Sequence, residues 1–217
     1  AYDGLPEGAE QRAALAAQIA ALRGWNMRYA LESVPTTLAI FWAQELSTRY
    51  AAAARAREMP VLDYIGSELT AEQRLQALQQ ASAKLTADFG QWQTPWGEVN
   101  RFQRRTDDFN QPFDDSQPSL PVPFASANWG SLAAYGMTSK STTRRLYGER
   151  GNSFVAVVEF GPQIRARSVL AGGQSGNPAS AHFNDQAGMY VRGEFKEIWL
   201  SRKDVEAHLD RRYHPGE

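Results

Sequence analysis

An α+β fold is what this sequence predicts, on three observations. Up to residue 90 the apolar residues recur at helical spacing. From residue 152 onward they run unbroken or alternate, as strands require. Between the two, Pro, Gly, Asp, Ser and aromatic residues crowd together with little periodicity. The organisation that follows is a mostly helical segment over 1–90, an irregular wrapping segment over 91–151, and a β-rich segment with antiparallel strands and a terminal helix over 152–217.

Taken in order, residues 9–23 are alanine-rich with Leu15, Ile19 and Leu22 at helical spacing, and Gly24 supplies a stop. Gly24 to Tyr29 reads as a packed connection. Pro35 suits a first helical turn, where a missing N–H costs nothing. From there Leu38, Phe41, Trp42, Leu46 and Tyr50 form an apolar stripe that runs into Ala51–Ala54. Thr70 with Gln73 reads as a capping box opening a third helix, with Leu75, Leu78, Leu85 and Phe89 facing inward.

In the middle segment, Pro112, Pro118, Pro121 and Pro123 argue against any regular element across 110–124. A loop this long in a compact protein is either functional or wrapped over another surface. Trp92, Trp96, Phe102, Phe109, Phe113, Phe124 and Trp129 favour wrapping, because a disordered linker carries few aromatics.

Phe154 to Phe160 is apolar on nearly both faces, the pattern of an interior strand. Gly161-Pro162-Gln163 turns the chain, and Ile164, Ala166, Ser168 and Leu170 alternate with Arg165 and Arg167, which predicts a hairpin. The stretch from Gly172 to Gln186 is the most informative in the chain. Its glycines and Ser-Gly-Asn-Pro specify a sharp turn, since glycine enters left-handed conformations freely. Residues 182–192 predict a short helix closed by Gly193, Ile198-Trp199-Leu200 a brief strand, and Ser201 with Asp204 the cap of a final helix through His208.

Composition narrows the function. The 217 residues are 42% hydrophobic and 22% charged with a net charge of −1, so no overall field draws the chain to nucleic acid or an anionic membrane. No apolar run approaches the length of a membrane span. Cysteine is absent, which removes disulfides, thiolate metal sites and cysteine nucleophiles, and is compatible with an exported protein. The chain opens at Ala1 rather than Met, which leads us to expect a processed or excised product.

Three sets of residues invite a chemical reading. Ser175 stands in Gly-Gln-Ser-Gly-Asn, but a nucleophile elbow needs glycine where Asn177 stands, and His182 and Asp185 nearby do not make a triad by adjacency. A tight turn held by side-chain to backbone hydrogen bonds is the preferred reading. His182, His208 and His214, the only histidines, are separated by 26 and 6 residues, which matches no zinc spacing. Asp107, Asp108, Asp114 and Asp115 are oxygen donors suited to calcium but lack the EF-hand order, and a solvated loop paired with Arg101, Arg104 and Arg105 is the preferred reading. Those same aspartates cancel any nucleic-acid-binding field from the arginines.

Several of these segments resemble one family. Gly173-Gln174-Ser175-Gly176 followed by His182-Phe183-Asn184-Asp185-Gln186, the ending Ile198 to His208, and Gly151-Asn152-Ser153 are similar to the C-terminal part of the β-subunit of penicillin acylase-type enzymes, which are N-terminal-nucleophile hydrolases. Trp92-x-x-Pro95-Trp96-Gly97-Glu98-Val99-Asn100-Arg101 resembles the segment that often begins this region in acylases cleaving long-chain amides. The resemblance implies that the terminal strands form part of a four-layer αββα sandwich, made after a precursor cuts itself into α and β chains. It implies a β-chain N-terminal serine that attacks the amide carbonyl with its own α-amino group as base, and backbone and asparagine donors for the oxyanion.

Ala1 offers no hydroxyl, and the family's Ser-Asn start occurs nowhere in the chain. No catalytic, cofactor-binding or metal-binding residue and no cofactor is therefore assigned. The expected role is the C-terminal structural portion of a hydrolase cleaving N-acylated small molecules, of penicillin type or acyl-homoserine lactone type. On this reading the chain is inactive alone and partnered by the α-subunit and the N-terminal part of the β-subunit. A periplasmic or secreted setting, with roles in quorum quenching or antibiotic biosynthesis, goes with that expectation, as does self-association through exposed strand edges. The alternatives are a non-catalytic binding module with a groove lined by the middle tryptophans, and a self-contained hydrolase using Ser175.

Overall fold

The computed structural model describes residues 1–140, 142–214 and 216. Helix α1 (Glu10–Arg23) ends at Gly24. Helix α2 (Val34–Ala56) starts where the Ser33 side chain accepts the Thr36 N–H, with Pro35 in its first turn. A seven-residue helix, α3 (Val61–Ser67), follows Pro60 and escapes the sequence reading, being too short to display a period. The predicted third helix is thus the fourth, α4 (Ala71–Phe89), opened by the expected Thr70–Gln73 capping box and closed by Gly90 in the left-handed region.

These helices bury one face each into a shared core. Leu15, Leu38, Phe41, Leu75, Leu78 and Leu85 meet there, joined by Trp96 and Val99 from the single turn α5 (Trp96–Val99). Trp96 is fully buried, with Trp92 and Trp129 packed at the edge of the same cluster. The Tyr29 hydroxyl donates to the Trp129 carbonyl, which draws the middle segment onto the helices.

The middle segment is more ordered than expected. Strands β1 (Asn100–Phe102), β2 (Leu120–Pro121), β3 (Tyr135–Thr138) and β4 (Leu146–Gly151) form one sheet in the order β2-β1-β4-β3. Strand β1 runs parallel to β4, and the other neighbours are antiparallel. The expectation of no regular element over 110–124 is corrected by β2, where Pro121 sits on an edge strand and removes no ladder bond from the sheet interior. The fully buried Asn100 fastens this corner, its Nδ2 donating to the carbonyls of Val122 and Phe124 at 3.0 and 2.8 Å. Of the aromatics read as wrapping, Phe113 stacks on Tyr147 at 4.8 Å and Phe102 and Phe124 pack with Tyr190, but Phe109 is 99% exposed.

The second sheet, in the order β5-β6-β7, contains β5 (Phe154–Glu159), β6 (Arg165–Leu170) and β7 (Lys196–Ile198). The predicted hairpin forms, with Phe154 opposite Leu170 and Glu159 opposite Arg165. The interior placement of β5 is corrected: it is an edge strand, with Phe154, Val157 and Val158 each about half exposed. Between these strands, helix α6 (Ala187–Arg192) closes at Gly193 (φ 68°) and starts five residues later than predicted, because 182–186 are spent in turns. Helix α7 (Arg202–Ala207) is capped by Ser201, whose hydroxyl oxygen accepts the Asp204 N–H. Val122, Tyr135, Val169, Tyr190 and Val191 form a second core that joins the two sheets and α6.

Candidate functional site

The 172–186 segment links β6 to α6 as a closed loop whose two ends are tied at the base. Gln186 is the tie: its N–H donates to the Gly172 carbonyl at 2.9 Å, and its buried side-chain oxygen accepts the Leu170 N–H at 3.1 Å. Across the loop the Ser175 N–H reaches the His182 carbonyl at 3.1 Å. The tip is a relay of local turns. Ser175 Oγ accepts the Asn177 N–H, Asn177 Oδ1 accepts from Ala179, and Ser180 Oγ accepts from His182.

The glycines serve closeness rather than backbone handedness. Gly172, Gly173 and Gly176 are absent from the positive-φ positions, which corrects the left-handed reading of this turn. A Cβ on Gly173 would instead fall on the His182 carbonyl oxygen and lie 2.5 Å from Asp185 Oδ1. One on Gly172 would lie 2.7 Å from Arg104 Nη1. At Gly176 nothing stands within 4 Å.

Arg104 is the residue that sequence reasoning placed wrongly. Its guanidinium donates to the Phe183 carbonyl at 2.5 Å and the Ser175 carbonyl at 3.0 Å, and lies 4.0 Å from the centre of the Phe183 ring. Asn184 Nδ2 returns a bond to the Arg104 carbonyl at 2.9 Å. Arg101 also turns away from the aspartates, donating to Gly97 and Ser119 carbonyls and to Ser119 Oγ. Burial, then the nearby Arg145 charge, lower its pKa. Only Arg105 pairs with the acidic loop as expected, at 3.7 Å from Asp114. A partner more than seventy residues away leaves no local trace at Arg104.

Asp114 and Asp115 are occupied by the chain itself. Asp114 accepts from the Ser116 N–H and hydroxyl, which hold its carboxyl below the usual range, with burial opposing weakly and the Arg105 charge adding a little. Asp115 accepts from the Arg144 N–H at 2.8 Å and the Tyr147 hydroxyl at 3.0 Å. Among the described residues no three His, Asp or Glu side chains converge as a metal site.

His182 Nδ1 lies 2.9 Å from Asp185 Oδ2, an exposed pair within one turn. The hydrogen bond of Ser175 Oγ goes to the Asn177 N–H, not to His182, so the three side chains do not form a relay. His208 stacks on Trp199 at 3.8 Å, far along the chain from His182, and its Nδ1 bonds the Asp204 carbonyl.

Two comparisons bear on this geometry. A family model described as penicillin amidase matches residues 3–207. Among solved structures, the chain is similar to a thermostable penicillin G acylase from Alcaligenes faecalis, with 15% identity and a TM-score of 0.46 over 98% of this chain and 44% of that one. The chain therefore spans less than half the length of the acylase it matches.

Proposed function

Because this chain belongs to the penicillin amidase family, we propose that it is a structural portion of an amide-hydrolysing acylase whose nucleophile comes from polypeptide outside these residues. The observation that carries this reading is the bare face of the second sheet. Val158, Ala166 and Ile198 form one row across its three strands, with Phe154 on the same face. Phe154, Val158 and Ile198 are 57, 45 and 37% exposed, while Ala166 between Val158 and Ile198 is buried. Beyond the row, Ile164, Trp199 and Leu200 line a groove of about 740 Å³. Exposed apolar side chains beside an edge strand are surface that another strand or layer covers. The opposite face, through Val155 and Val169, already packs on the second core.

On this reading β5 and its neighbours complete an αββα sandwich with the remaining α and β polypeptide. The complete enzyme cleaves the acyl–amide bond of N-acylated small molecules, of penicillin or acyl-homoserine lactone type, outside the cytoplasm. The alternative of a groove lined by the middle tryptophans is disfavoured, since Trp92, Trp96 and Trp129 pack into the helical core.

The test is turnover of a chromogenic N-acyl anilide. The 217-residue chain alone is expected to give none above buffer, and co-expression with the rest of its precursor is expected to restore it. Turnover by the chain alone overturns the proposal. A second expectation follows from the exposed edge: the isolated chain self-associates at high concentration, and Val158→Lys returns it to monomer with little change in melting temperature. Sedimentation velocity reads this directly, and a parent chain that stays monomeric counts against the bare-face argument.

A further inference from the structure

Helix α7 forms without burying any of its six residues. So short a helix is not stable in water unaided, because nucleation is unfavourable and most helical stability in a protein comes from tertiary burial. The interactions that hold α7 are local: the Ser201 cap, an Arg202–Glu206 pair at 3.0 Å, and the stack of His208 on Trp199. Leu200, Val205 and Leu209, on and beside it, are each about half exposed. Such an element gains its stability from surface outside its own chain.

The neighbouring groove shows which surface it meets. One wall of this groove of about 740 Å³ is the end of the second sheet, through Ile164, Ala166 and Ile198, and the other is the entry to α7, through Leu200, Ser201 and Asp204. Ala166 and Ile198 pair across β6 and β7 in the row described above, so the groove continues the bare face and a layer that covers that face reaches α7. The charge left to the groove is of one sign. Arg165 and Glu197 also border it, but strand alternation turns both side chains to the opposite face. There Glu197 pairs with Arg167 at 2.7 Å, and Arg165 lies beside Val157 and Arg167. Asp204 remains, with one carboxyl oxygen on the Ser201 hydroxyl at 2.6 Å and no ion pair among the described residues.

We infer that α7 and the end of the second sheet form a docking cleft for an apolar segment of the acylase polypeptide outside these residues, one that carries a lysine or arginine to Asp204. Seating that segment covers Leu200 and Ile198 and completes the stability of α7. The cleft presupposes the acylase reading above, and adds to it where the contact is made and by what chemistry.

The test is co-expression of the tagged 217-residue chain with the rest of its precursor, read by copurification and by amide hydrogen exchange. The parent chain is expected to bring the rest down. Asp204→Lys sets like charges face to face and Leu200→Lys puts a charge on the apolar wall, so each should cut the copurified yield on the order of tenfold. Neither side chain is buried, so melting temperatures that match the parent separate lost docking from lost folding. Hydrogen exchange needs no variant. In the chain alone, the Val205 to His208 amides should exchange within about tenfold of unstructured rates, and in the assembly they should slow by on the order of a hundredfold. Failure of the parent to bring down the rest overturns the acylase reading and the cleft with it. Copurification that survives both substitutions, or α7 amides already protected in the chain alone, overturns the cleft and leaves that reading standing.

Discussion

Replacing Gly173 by alanine is expected to destabilise the chain by about 3 kcal/mol, the upper range for forcing an extra methyl into a packed site. The new Cβ would meet a backbone carbonyl, that of His182, rather than the yielding end of a side chain. That carbonyl already accepts the Ser175 N–H, so any retreat breaks the rung that holds the loop closed. For a domain of this size the melting temperature should fall by roughly 10 °C. Hydrogen exchange at Phe183 and Gln186, which report on the loop and its base, should accelerate first. Gly176→Ala is the internal control. With nothing within 4 Å it should change stability by less than about 0.5 kcal/mol. Equal melting temperatures for the two variants would show that the close approach at Gly173 has no energetic weight.

Arg104→Ala should cost a similar amount, about 3 kcal/mol, through the loss of two charge-assisted hydrogen bonds and a cation–π contact. The guanidinium is partly exposed, so the figure rests on leaving the Phe183 and Ser175 carbonyls without their donor rather than on Coulomb energy. Arg104→Lys should recover little. A single ammonium cannot fork onto two carbonyls while lying flat on a ring. Arg104 holds the Ser175 carbonyl, and the Ser175 N–H bonds the His182 carbonyl that faces Gly173, so Arg104→Ala combined with Gly173→Ala should destabilise by less than the sum of the two changes. Thermal melts of the four proteins in this cycle measure that coupling. Full additivity would mean that the arginine and the glycine act on separate units.

Both changes lie in the segment that the sequence singled out, yet the reason for its glycines was legible only in part. Gly-Gly before Ser-Gly-Asn-Pro announces a tight turn, and the turn is there. Whether a glycine is needed for its φ or for the space beside it depends on what approaches it, and His182 approaches Gly173 only after the loop has closed. Phe183 follows the same logic. Its sequence neighbours do not reveal that a guanidinium from β1's trailing loop will lie across its ring.

Helix α4 contrasts with the sheets. Its cap and its inward leucines follow from interactions within four residues, and both were readable. The first sheet was not readable, because β1, β2 and β3 are three, two and four residues long, too short for alternation to register. Moreover, β1 finds its parallel partner β4 more than forty residues away. For β5 the apolar pattern was read correctly and its meaning wrongly. A strand apolar on both faces suits the interior of a sheet, but β5 has a neighbouring strand on one side only.

By itself, then, the sequence determined what is local: helix periods and caps, the Gly161-Pro162-Gln163 hairpin turn, and the family resemblance of 172–186. The tertiary structure alone decided which strand became an edge, which carbonyls Arg104 would clamp, and that Tyr190 would be buried between Phe102 and Phe124. The physical reason is range. Caps and periods are fixed by neighbours along the chain, whereas pairing and burial depend on surfaces that meet only once the chain has folded.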